Sequence, residues 1–126
     1  MLLGCGVGNN VKLTPVKGTV KIDGKPAAGI LVQLMPDISK QSAGPTSQAI
    51  SNDAGELTFS TVDGKSGAAV GNHVVIFADA LEERPPQGQE VTKPSRIPSR
   101  YTTAAGGLSV TVEPNKDLTL EIKTTN

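Results

Sequence analysis

The sequence predicts an all-β domain folded as a β-sandwich, and three observations carry that prediction. Seven short segments either alternate apolar and polar residues with a period of two or stay apolar for the length of one strand. Between them, 14 glycines and 9 prolines mark frequent turns without a Gly-X-Y period. No segment carries the i, i+3, i+4 spacing of an amphipathic helix. At 126 residues the chain suits one domain. Only 37% of residues are apolar and 2% aromatic (Phe59, Phe77 and Tyr101), so Val, Leu, Ile and Ala must build the core and no aromatic stacking platform is available.

Residues 1–14 read as a tail and flexible tether, and the sandwich domain spans 15–126. In 15–22, Val16, Gly18, Val20 and Ile22 share one side while Lys17, Thr19 and Lys21 take the other, the pattern of a half-buried strand. Asp23-Gly24-Lys25-Pro26 then reverses the chain, because Asp-Gly favours a tight turn and proline cannot donate to a ladder. The second strand, 28–35, is nearly all apolar, as expected where both faces are partly covered, and Pro36 ends it. Residues 37–46 have no periodicity and form a surface loop. Short strands at 47–51 and 56–60 flank Asn52-Asp53-Ala54-Gly55, where a side-chain amide or carboxylate bonds nearby backbone and glycine takes a positive φ. A second polar turn at 63–67 leads to a strand over 73–78. Residues 81–98 hold four prolines and little apolar material, which makes a long loop. The last two strands, 108–113 and 118–123, are joined by Pro114-Asn115-Lys116-Asp117, expected to be a hairpin turn.

Twelve basic side chains balance twelve acidic ones, so the chain has no electrostatic footprint for nucleic acid. His73 is the only imidazole and shares its strand face with Val75 and Phe77. No carboxylate stands at a spacing that predicts an orienting partner, and no Gly-x-Ser-x-Gly elbow occurs, so no catalytic residue is assigned. Asn52, Asp53 and Glu56 offer oxygens but lack the alternating ligands of a calcium loop, and one His with one Cys cannot close a zinc site. No metal or cofactor is therefore expected. Tyr101, beside Pro98 and Arg100, is read as a ring packed under the sandwich edge with its hydroxyl on a backbone partner, rather than as an exposed recognition element.

Cys5 cannot form an intramolecular disulfide, and Leu2-Leu3-Gly4 before it with a polar Gly/Asn stretch after it resembles the lipobox of a bacterial lipoprotein. That resemblance implies a lipidated Cys5, with the basic and apolar leader that export requires expected upstream of Met1; the alternative is an ordinary thiol on a frayed tail. In the body of the chain, Gly18-Thr19-Val20-Lys21-Ile22-Asp23-Gly24-Lys25-Pro26-Ala27-Ala28-Gly29 resembles the opening of a carboxypeptidase-regulatory-like, transthyretin-like domain. Asn52-Asp53-Ala54-Gly55-Glu56-Leu57-Thr58-Phe59 is similar to a turn of the same family. Val70-Gly71-Asn72-His73-Val74-Val75-Ile76 resembles its Pro-Gly-x-Tyr-x-Val strand entry, with valine for proline and histidine for the aromatic. Ile97-Pro98-Ser99-Arg100-Tyr101 and residues 107–112 resemble the closing part of small lipoproteins abundant in planctomycete bacteria.

The resemblance implies a seven-stranded Greek-key sandwich, non-catalytic and lipid-anchored in the bacterial cell envelope on the periplasmic or outer face. Its expected partners are the membrane, through lipid on Cys5, and an envelope protein or glycan. The hydroxyisourate hydrolase branch of such folds relies on several histidines and a Tyr-Arg-Gly-Ser terminus, whereas this chain has one histidine and ends Lys123-Thr124-Thr125-Asn126. A soluble domain that binds carbohydrate or another small ligand through polar loops is the alternative.

Overall fold

The computed structural model describes residues 12–40, 44–81, 96–103 and 108–124. Eleven strands follow in chain order: β1 Leu13–Thr14, β2 Lys17–Ile22, β3 Lys25–Pro26, β4 Ile30–Pro36, β5 Ser47–Ile50, β6 Glu56–Thr58, β7 Ser60–Thr61, β8 Ala68–Ala69, β9 Gly71–Asp79, β10 Leu108–Val112 and β11 Leu118–Ile122. The only helical elements among the described residues are two single 3-10 turns, Ile38–Lys40 and Ser99–Tyr101.

The strands form three sheets. A five-stranded sheet has the order β10-β9-β4-β5-β7, and a four-stranded one sets β11 on one edge of β2 with β3 and β6 along the other. β1 and β8 make a two-stranded ribbon, so Leu13 and Thr14, expected in the tether, pair with Ala69 and Ala68. Each of the seven sequence-predicted segments contains a strand, and the count rises to eleven through four additional two-residue strands, β1, β3, β7 and β8.

Period-two alternation explains the layering. In β9 the inward positions are His73, Val75, Phe77 and Asp79, and in β4 they are Ile30, Val32 and Leu34. Across from them, Val20, Leu57, Leu118, Leu120 and Ile122 come from the smaller sheet, and these join Val75, Phe77, Ile30, Val32 and Leu34 in one buried cluster. Phe77, Leu34 and Leu120 are fully covered, and each such burial stabilises the fold by about 1.5–3 kcal/mol. The result is sandwich-like: two sheets facing one another across an aliphatic core.

The hairpin expected between the last two strands does not form. β10 pairs antiparallel with β9, whereas β11 pairs parallel with β2, in register from Leu118 opposite Gly18 to Ile122 opposite Ile22. Residues 113–117 therefore carry the chain from one sheet to the other. A turn motif dictates a local reversal but not which strand edge the returning segment joins.

The Asn52 turn has the local chemistry its residues predict. Asn52 Oδ1 accepts from Ala54 N at 3.0 Å and Glu56 N at 2.9 Å, and Gly55 sits at φ 76°, where a side chain would be strained. Gly67 is more tightly constrained still, at φ 94° with an added Cβ falling 2.2 Å from the Thr14 carbonyl oxygen. Glycine there lets the ribbon β1-β8 lie against the sandwich.

Candidate functional site

Cys5, the residue the sequence assigns to lipid attachment, lies outside the described residues, as do 82–95 of the long proline loop. The remaining chemically equipped side chains fall into four places.

His73 is 1% exposed, on the inward face of β9 where its parity put it. Its Nε2 lies 2.7 Å from the Ala69 carbonyl oxygen and, since a carbonyl only accepts, Nε2 is the donor. Nδ1 is buried without a partner among the described residues. The ring is thus buried and oriented by a backbone carbonyl, on a strand between Pro36 and Val110, which is the geometry of a core side chain.

In the Asn52 loop, Asn52 Oδ1 is taken by backbone donors and Asn52 Nδ2 donates to Glu56 Oε1 at 3.0 Å. Beside it, Lys17, Thr19, Glu56, Thr58, Asp117 and Thr119 surround a polar groove of about 400 Å3 on the outer side of the smaller sheet. Among the described residues, no three His, Cys, Asp or Glu side chains come together in a metal-binding cluster. The groove offers one ammonium, two carboxylates and several hydroxyls, a set suited to hydrogen bonding with a small polar molecule.

The third place is a clasp that sequence reasoning did not assign. Asp79 ends β9 at an inward position, and its side chain is 1% exposed. Arg96 meets it with two charge-assisted bonds, Nε to Oδ2 and Nη2 to Oδ1, each 2.8 Å. The backbone N–H groups of Leu81 and Arg96 also donate to this carboxylate, and Arg96 Nη2 donates to the Ala28 carbonyl oxygen. The guanidinium bonds hold the Asp79 pKa down to about 2 against the opposing effect of burial. The signal was present in sequence, because a carboxylate at an apolar parity position demands a cation. The cation's identity was not, since it comes from the far side of a long loop.

Tyr101 is half-buried against the core, edge-on to Phe77 with ring centroids 5.8 Å apart. Lys123 N donates to its phenol oxygen at 3.1 Å, which lowers the pKa of the phenol, while the Arg100 guanidinium carbon stands 4.8 Å from the ring centroid. The ring packs under the sandwich edge and its hydroxyl bonds backbone, in agreement with the sequence reading.

Comparison with known proteins gives no family model, no curated protein and no solved structure that matches the chain.

A contrast between the two outer faces completes the inventory. Outward strand positions of the smaller sheet carry Lys17, Lys21, Glu56 and Glu121, with Lys21 directly opposite Glu121. Outward positions of the five-stranded sheet carry no charge at all, and Met35 (38% exposed) and Ile50 (60%) present apolar surface there.

Proposed function

We propose that this chain is a non-catalytic, lipid-anchored protein of the bacterial cell envelope whose β-sandwich serves as a structural, adhesion or protein-interaction module. The observation that carries the interaction role is the uncharged, partly exposed apolar face of the five-stranded sheet, a kind of surface that marks contact sites. Leu2-Leu3-Gly4-Cys5 supports the anchor, with Cys5 as the lipidated residue. The Greek-key, transthyretin-like family reading rests on the order of the turn motifs at 23–26 and 52–55. Mass spectrometry of the native protein tests the anchor: the expected product is a peptide beginning at an acylated Cys5, and an unmodified thiol in an intact tail overturns it.

The polar groove beside Asn52 favours a second reading, a soluble domain that binds a carbohydrate or another small polar ligand. A panel of sugars that raises the melting temperature, with the rise abolished by Asp117→Ala, is the outcome that reading requires.

A further inference from the structure

We propose that the cleft between β3, Arg96 and the chain that follows β11 binds a small organic carboxylate, with one oxygen on the Arg96 guanidinium and the other on the Lys25 ammonium. The site is distinct from the polar groove beside Asn52 and from the uncharged outer face, so it depends on neither reading above.

The cleft has a volume of about 470 Å3. Lys25 and Arg96 are the charged side chains along it, and among the described residues no carboxylate lines it. Ile22, Pro26 and Ala28 supply apolar wall. The polar groove on the same sheet differs, because there Glu56 and Asp117 stand with Lys17. Cations beside an apolar wall, with no acid between them, suit an anion that carries a hydrocarbon body.

A count of donors shows what the two cations have left to give. A guanidinium has five N–H groups. Arg96 spends Nε on Asp79 Oδ2 and Nη2 on both Asp79 Oδ1 and the Ala28 carbonyl oxygen. Both N–H groups of Nη1 are therefore without a partner among the described residues. The Asp79 clasp fixes the plane of the fork, so a ligand loses little in ordering it. The Lys25 side chain makes no hydrogen bond or ion pair among the described residues. Two acids at this end of the molecule are already engaged: Asp79 by Leu81 N and by three nitrogens of Arg96, and Asp23 by the amide and hydroxyl of Thr124.

Charge chooses the ligand class. Asp79 already neutralises Arg96, so the surplus positive charge along the cleft is that of Lys25. One carboxylate cancels that charge and has two oxygens to divide between Nη1 and Nζ. A phosphate near its dianionic form overcharges the cleft and has no apolar part to set against Pro26 and Ala28. A neutral ligand forgoes the strengthening that an ionised acceptor gives each bond.

Amide NMR titration of the full chain near neutral pH and at about 0.15 M salt tests this, with benzoate as the probe and benzamide as its uncharged counterpart. Benzoate should move the signals of Ala28, Arg96 and Thr124 along a saturating curve, with a dissociation constant on the order of 1 mM. Benzamide and inorganic phosphate should each bind at least ~10-fold more weakly. Lys25→Ala, at an exposed position, should weaken benzoate at least ~10-fold, and Lys25→Arg should restore it. Lys17→Ala, in the polar groove, should leave benzoate binding unchanged. Arg96→Ala should abolish it, and Lys25→Ala carries the test if loss of the clasp unfolds the chain. No saturating shift at about 20 mM benzoate overturns the proposal. Equal binding of benzamide, tighter binding of phosphate, or benzoate binding that survives Lys25→Ala overturns it too. The sugar panel probes the other groove, so failure of either site is separately visible.

Discussion

The two flanks of the sandwich are closed in different ways. On one flank the chain itself crosses between sheets: residues 56–61 pair first with β2 as β6 and then with β5 as β7, keeping their alternation through Phe59. Local backbone and hydroxyl bonds lock that crossing. Gly55 O accepts from Val20 N at 2.9 Å, and Ser51 Oγ donates to Ala27 O at 2.7 Å while accepting from Ile30 N. On the other flank β10 and β11 are sheet edges that do not pair with one another, and side chains from 96–101 fill the space between the layers. Ile97 is buried there, Tyr101 bridges Phe77 and Lys123, and Arg100 bonds the Lys123 carbonyl oxygen. Closure by continuous chain spreads its stability over many backbone bonds, whereas closure by an incoming segment concentrates it in a few side chains.

Phe59→Ala should produce the largest effect, because it opens a cavity at the crossing where the chain has no freedom to collapse. Urea denaturation is expected to show a loss of about 3–5 kcal/mol in one cooperative transition.

On the opposite flank, Asp79→Ala leaves Arg96 without its partner and frees two backbone donors. The guanidinium is 39% exposed and regains water, so the loss should be about 2–3 kcal/mol rather than the full cost of a stranded buried charge. Hydrogen exchange should quicken at Leu81 and Arg96 while the Asn52 turn keeps its protection. If both flanks loosen equally, the distinction between them is lost.

The same clasp gives a pH dependence. Asp79 has a folded pKa of about 2 against an ordinary 3.8, so the unfolded chain binds more protons between those values. Its contribution, about 2 kcal/mol, is complete above pH 4 and disappears as pH falls through 2. Asp79→Ala should flatten the acid limb of the stability curve in that window.

Smaller again, Tyr101→Phe keeps the ring against Phe77 and removes only the oxygen that accepts from Lys123 N. A loss of about 1 kcal/mol is expected in thermal unfolding. Lys116→Ala breaks the exposed pair with Glu113, which belongs to neither closure, and should change stability by less than about 0.5 kcal/mol.

How much of this was legible beforehand depended on the range of the interaction. Parity placed Val20, Val75 and Phe77 inward and gave His73 its core position, because alternation is a property of neighbouring residues. The Asn52 turn was equally readable, since its donors and acceptors lie within four residues. Pro114-Asn115-Lys116-Asp117 misled, because the bend it makes is compatible both with a hairpin and with passage to the other sheet. Arg96 went unassigned for a similar reason: it bonds Ala28, 68 residues away, and nothing near it in sequence announces that contact.

By itself, then, the sequence determined the all-β class, the strand segments and the side of each strand that faces the core, all consequences of period-two alternation and turn chemistry. Tertiary structure decided which edges meet: β11 alongside β2, Arg96 on Asp79, Tyr101 between the layers. It also decided that the charge-free side of β4, β5, β9 and β10 forms one continuous outer surface. Such pairings depend on which backbone edges and buried charges remain unmet after the local elements form, and that is a property of the assembled sheets.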